Sequence, residues 1–113
     1  MRRDTKRSIM SRFLVLYRSA VSAAEQMATA DPESGAESMK AWMDWAARAG
    51  DAIVELGSPT QSVAGGEPGS FIGGYSIMQA DDLAGVTAAL AEHPHRGWGG
   101  TIEILEMLEI PGM

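Results

Sequence analysis

Residues 71–107 spell out a strand, a helix and a second strand in immediate succession, and no other stretch limits the fold as tightly. Phe71 to Ala80 reads as a strand with Gly73-Gly74 near its start; Tyr75 and Ile77 share one face, Ser76 and Met78 the other. Asp81-Asp82 then supplies a helix cap and places acid at the positive end of the helix dipole. Leu83, Val86, Thr87 and Leu90 recur at helical spacing as a buried stripe, His93 continues it, and Pro94 ends it. Beyond the loop His95-Arg96-Gly97-Trp98-Gly99-Gly100, residues 101–105 alternate as a strand. The alternation fails near Glu106, which predicts a bulge or a departure from the sheet there.

The first half carries the same order. Phe13-Leu14-Val15-Leu16-Tyr17 is short, apolar and rich in strand formers, and reads as a strand buried on both faces near the sheet centre. A short helix is expected from Val21 to Met27. Asp31-Pro32-Glu33 is a helix start, although Gly35 suggests that regular helix begins nearer Ala36. Met39, Trp42, Met43, Ala46 and Gly50 fall on one stripe, which points Trp42 at the core and leaves Trp45 at the stripe's edge. Lys40, Asp44 and Arg48 lie opposite as successive i,i+4 pairs, and Gly50 suits the C-cap. Residues 51–56 read as a second strand, and 57–70 as a long loop with an extended piece at Gln61-Ser62-Val63. The order β-α-β, loop, β-α-β predicts an α+β, ferredoxin-like βαββαβ domain: a four-stranded antiparallel sheet with both helices on one face. A second copy would cover the other face, so a homodimer is expected.

With 113 residues there is material for one core, assigned to 13–113, after a basic extension at 1–12 that is expected to be disordered. Five of the nine basic residues lie in that extension. From Phe13 onward four basic residues face fourteen acidic ones, a net of −10, and such a body repels phosphate backbones. The apolar run after the extension is too short for a signal peptide or a membrane span. A soluble, cytoplasmic protein without nucleic-acid or membrane partners is expected. The absence of cysteine excludes disulfides and thiolate chemistry, and two histidines weaken a zinc reading, so no metal or other cofactor is expected.

Few residues offer chemistry. Gly65-Gly66-Glu67-Pro68-Gly69 lacks the Lys-Ser/Thr and the following helix of a phosphate loop. Asp81-Asp82 is explained by capping, His93 by an apolar helix face, and the eight methionines by adaptable packing. His95 stands out as an imidazole able to exchange protons near neutral pH in a glycine-rich loop beside Arg96 and Trp98. Trp42, Trp45, Tyr75 and Trp98 are the candidate ligand-binding aromatics, with core and interface anchoring as the plainer role.

At Ile72-Gly73-Gly74-Tyr75-Ser76-Ile77, Ala80-Asp81-Asp82-Leu83, His93-Pro94-His95 and Gly99-Gly100-Thr101-Ile102-Glu103-Ile104, the chain resembles the YCII-related family, in particular its DGPF-type branch. The resemblance spans roughly residues 13–107; in place of the Asp-Gly-Pro-Phe segment stands Glu67-Pro68-Gly69-Ser70-Phe71. It implies a dimeric α/β barrel in which two sheets close around internal pockets. It also implies a His–Asp pair as the catalytic set of the namesake branch, and a relative that dehydrochlorinates chlorinated hydroxyquinols. That histidine falls where this chain has Met39-Lys40, while the matching acid is Asp51. Three readings follow. The leading one is a dimer that binds a small aromatic or hydrophobic ligand. The second is a cofactor-free isomerase or lyase using His95 with Asp51 or Asp82, and the third an interaction module whose acidic surface meets a basic partner.

Overall fold

The computed structural model describes residues 10–22, 25, 26, 28, 31–97 and 99–111. Its elements are β1 (Ser11–Ser19), α1 (Pro32–Ala49), a 3-10 turn (Gly50–Ala52), β2 (Ile53–Glu55), β3 (Phe71–Ala80), α2 (Leu83–Leu90), the short α3 (Pro94–Gly97) and β4 (Thr101–Met107). They form an α+β fold whose four-stranded antiparallel sheet has the order β2-β3-β1-β4. Within the expected helix from Val21 to Met27, Glu25 and Gln26 are helical, while residues 23, 24 and 27 lie outside the described residues, as do residues 1–9 of the extension. Ser11 and Arg12, assigned to that extension, belong to β1 and pair with Ala80 and Gln79.

β1 is central, as expected, but it is not buried on both faces. Phe13, Val15 and Tyr17 are buried, whereas Leu14 and Leu16 between them are only half-buried. The reason is that both main helices pack on the same side. Trp45 of α1 and Val86 and Leu90 of α2 close on Phe13, Val15, Tyr17 and Met78 in one core cluster. Fully burying such a side chain stabilises the fold by about 1.5–3 kcal/mol. The opposite face carries Leu14 beside Ile77 and Leu105, and Leu16 beside Tyr75, with no helix of that cluster over it.

α1 begins at Pro32 despite Gly35, because Asp31 accepts the Ser34 amide at 2.7 Å and proline suits the first helical position. Its packed stripe runs through Trp42, Trp45, Ala46 and Ala49. Trp42 packs against the core as expected, but Trp45 is the fully buried tryptophan rather than an edge residue, and Met39 and Met43 are exposed at 62% and 49%. β2 is shorter than the expected 51–56, since Gly50–Ala52 winds as a 3-10 turn before it. The extended piece of the long loop lies at 58–60 and not at 61–63. There Pro59 bridges Gly74, the Thr60 amide donates to Gly73 O, and the Tyr75 amide donates to Ser58 O.

Asp82 caps α2 by accepting the Gly85 amide at 2.9 Å. Leu83 and Thr87, expected in its stripe, are exposed, because an eight-residue helix buries only Val86 and Leu90. Pro94 does not end that helix. It opens α3, where proline again fits a first helical position. β4 pairs with β1 in unbroken register from Thr101 to Met107, so no bulge forms at Glu106. Among the described residues, no helix is long and apolar enough to cross a membrane.

Candidate functional site

The end of β1 nearest Arg18 gathers most of the molecule's unusual chemistry. Two histidines are wired together there by backbone geometry. The His95 amide donates to His93 Nδ1 at 3.0 Å, which requires a lone pair on that nitrogen and therefore places the proton of the neutral ring on Nε2. His95 Nε2 lies 2.8 Å from the Arg18 carbonyl, which can only accept, so this ring too carries its proton on Nε2. The His95 carbonyl accepts the Gly100 amide at 3.2 Å. A Cβ on Gly100 would stand 2.1 Å from His95 Nε2, so the imidazole lies in space that only glycine leaves open.

His93 is 2% exposed and sits among rings. Tyr17 stacks on it at 4.8 Å between centroids, Trp42 meets it edge-on at 4.4 Å, and Trp45 approaches to 4.3 Å. Its Nε2 has no hydrogen-bond partner among the described residues. Burial pushes its pKa down to about 4, helped by the nearby His95 and Arg96 charges. Beside it Tyr17 donates to Ser76 Oγ at 2.8 Å, and Ser76 donates to the Leu56 carbonyl at 2.6 Å. Burial pushes the Tyr17 phenol up to about 12, against a lowering effect of the Ser76 hydrogen bond, so it stays a neutral donor.

Two hollows flank this end of the sheet. The first is a cleft of about 330 Å³ between α1 and the 56–59 segment, walled by Met39, Trp42, Met43, Leu56, Pro59 and Tyr75 and floored by Gly73-Gly74. None of its lining residues is charged. Gly57 makes its rim possible, since its φ is +87° and a Cβ there would overlap Tyr75 O. The second hollow, of about 640 Å³, lies on the open sheet face over Leu14, Leu16 and Ile72. Arg18 lines it, but its Nε is 2.7 Å from Glu103 Oε1 and its Nη1 3.4 Å from Ser70 Oγ. Tyr75 borders both hollows, and its hydroxyl donates to the Glu55 carboxylate, which holds its pKa above the usual phenol value.

The sequence candidates separate on this map. Trp42 and Tyr75 line the cleft, whereas Trp45 is core and ties α1 to α2 by donating to Ala89 O at 2.9 Å. Trp98 lies outside the described residues. His95 faces the Arg18 end of β1, and Asp51 the other: Gln79, paired with Arg12, donates to Asp51 O at 2.9 Å. Six residues of strand, on the order of 20 Å, separate those ends. Asp82 stands just beyond the Asp51 end of β3. Neither carboxylate therefore partners His95. Among the described residues no cluster of three or more His, Asp or Glu side chains could hold a metal.

Met39, Met43, Pro59 and the His93 cage are the site residues that sequence reasoning passed over. One signal was readable for the cage: Ser76 falls on the core-facing side of β3, and a buried hydroxyl needs a partner. No family model and no curated protein matches the chain.

Proposed function

We propose that the protein is a homodimeric, small-ligand-binding domain of the YCII-related type, which seats an uncharged aromatic or hydrophobic molecule in the cleft beside Trp42. The observation that carries this reading is the cleft's lining: two methionines, a tryptophan and a proline around glycine backbone, without a charged side chain. Met39 and Met43 are left out of the core on the cleft's wall, and thioether and indole surfaces suit a flat ring. A charged ligand would lose its hydration there without gaining a counter-ion.

The ferredoxin-like plan and the dimeric barrel belong to this proposal. The strand order, read from the other edge as β4-β1-β3-β2, supports the first. The second is supported by the half-buried Leu14, Leu16 and Ile77 on the sheet face opposite the helices. The placement of His95 away from Asp51 and Asp82 speaks against the isomerase or lyase reading.

Thermal-shift screening against a panel of uncharged aromatic metabolites tests the binding. A ligand at a hundredfold excess over its Kd stabilises the fold by about 2.7 kcal/mol and raises Tm. Met39→Lys, at an exposed position, abolishes that shift while leaving the unliganded stability within about 0.5 kcal/mol of wild type. If no compound raises Tm, or if the lysine variant responds equally, the cleft is not a binding site.

A further inference from the structure

The His93–His95 pair joins three parts of the molecule through one lone pair. His93 follows α2 and receives the His95 amide on Nδ1; His95 in α3 grips the Arg18 carbonyl at the end of β1; and His93 is packed edge-on against Trp42, the wall of the cleft. We propose that His93 is a proton-operated latch: a proton taken from solvent onto Nδ1 removes the acceptor for the His95 amide, releases the Pro94–Gly97 turn from β1 and loosens the Trp42 wall.

The geometry forces this outcome because Nδ1 cannot carry a proton and accept the His95 N–H together. Two donors would then face each other at 3.0 Å. Among the described residues no carboxylate is paired with this ring to balance an imidazolium. From β1 the facing group is the Tyr17 ring, whose phenol stays neutral. From α1 come the uncharged Trp42 and Trp45, and from α2 the Leu90 carbonyl, which accepts the His93 amide at 3.1 Å. Its own turn contributes His95 and Arg96, both of which oppose a positive charge.

The direction with pH follows. The neutral His93 ring is the folded form, so the unfolded chain takes up its proton first, near the ordinary value of 6.5. The latch's stabilisation is complete above that value and is lost as pH falls from 6.5 towards about 4, where the folded chain binds the proton as well. The latch stands on its own contacts; only its effect on ligand rests on the cleft reading above.

His93→Asn is the decisive variant, because its Oδ1 can accept the His95 amide but cannot titrate. Wild type and variant are compared from about pH 8 to about pH 3 by tryptophan fluorescence and by NMR of the imidazoles and the His95 amide. A neutral probe, N-phenylnaphthylamine, reports on the cleft. In wild type, the fluorescence step, the His93 titration and accelerated exchange of the His95 amide coincide near the folded value of about 4, and probe affinity falls several-fold with them. The asparagine variant lacks the step. Identical acid profiles in the two proteins overturn the latch. So does a His93 that titrates while the His95 amide is unchanged, a wild-type observation that decides the matter even if the variant does not fold. A latch step without probe binding at neutral pH leaves the latch standing and removes the ligand reading.

Discussion

Gly100 and the His95 imidazole compete for the same volume, and that makes them the most informative residue pair for mutation. Gly100→Ala would place a methyl 2.1 Å from Nε2, so the ring must leave the Arg18 carbonyl. We expect Gly100→Ala to cost about 1–3 kcal/mol in urea unfolding, from the lost hydrogen bond and the crowding. In a double-mutant cycle with His95→Ala the second change is nearly free, giving a coupling of about 1 kcal/mol or more. Additive effects would show that the ring does not occupy that space. Trp45 offers a second check. Trp45→Phe keeps most of the buried ring but leaves Ala89 O without its 2.9 Å donor, for an expected loss of about 1–3 kcal/mol. At this scale the sequence could be read for chemistry but not for contacts. His95 stood out by its loop, while its partner was a backbone carbonyl 77 positions away that no spacing rule reaches. His93 was read as the end of a helix stripe, whereas the helix stops at Leu90 and the buried ring follows it in a turn; its aromatic cage depends on Tyr17 and two tryptophans from other elements.

The helix starts show how local chemistry becomes an element. Asp31 and Asp82 each accept an amide three residues on, so replacing either by alanine removes a cap worth about 1 kcal/mol. Asp82→Ala is expected to have the larger effect on the fold, since eight-residue α2 has little else to hold its first turn, and its loss would also loosen Val86. Urea midpoints of the two variants check the order. Elements whose ends are marked by such chemistry were legible: β3 runs from Phe71 to Ala80 as read, and α1 ends at Gly50, whose φ is +54°. Elements bounded by tertiary contacts were not. β2 shrank because residues 50–52 follow the helix into a 3-10 turn, and β4 kept its register past Glu106 because β1 supplies partners as far as Arg12. The stripe of α1 was right at Trp42 and Ala46 but took in Met39 and Met43 in place of Trp45 and Ala49. Met39 and Met43 satisfied the helical period as well as Trp45 and Ala49 do, and periodicity cannot distinguish a core wall from a cleft wall.

Among the described residues the fold is two layers, helices on sheet, and the sheet face opposite the helices carries only the 60–67 loop at its margin. Leu16 stands at the centre of that side, between Tyr75 on β3 and Glu103 on β4. If a second copy covers it, sedimentation equilibrium gives twice the 12.0 kDa chain mass for wild type and the single mass for Leu16→Glu, with little change in monomer secondary structure. A monomeric wild type would remove the dimer from the proposal. The central place of β1 also bears on how the chain reaches this state. Its buried tyrosine waits for Ser76, 59 positions later, and its Arg18 for Glu103, 85 positions later. A ribosome releasing this polypeptide N-terminus first therefore exposes the apolar strand long before either neighbour exists. Loop closure over such distances makes folding slower than in a helical bundle of this size, and β1 stays exposed until β3 and β4 arrive.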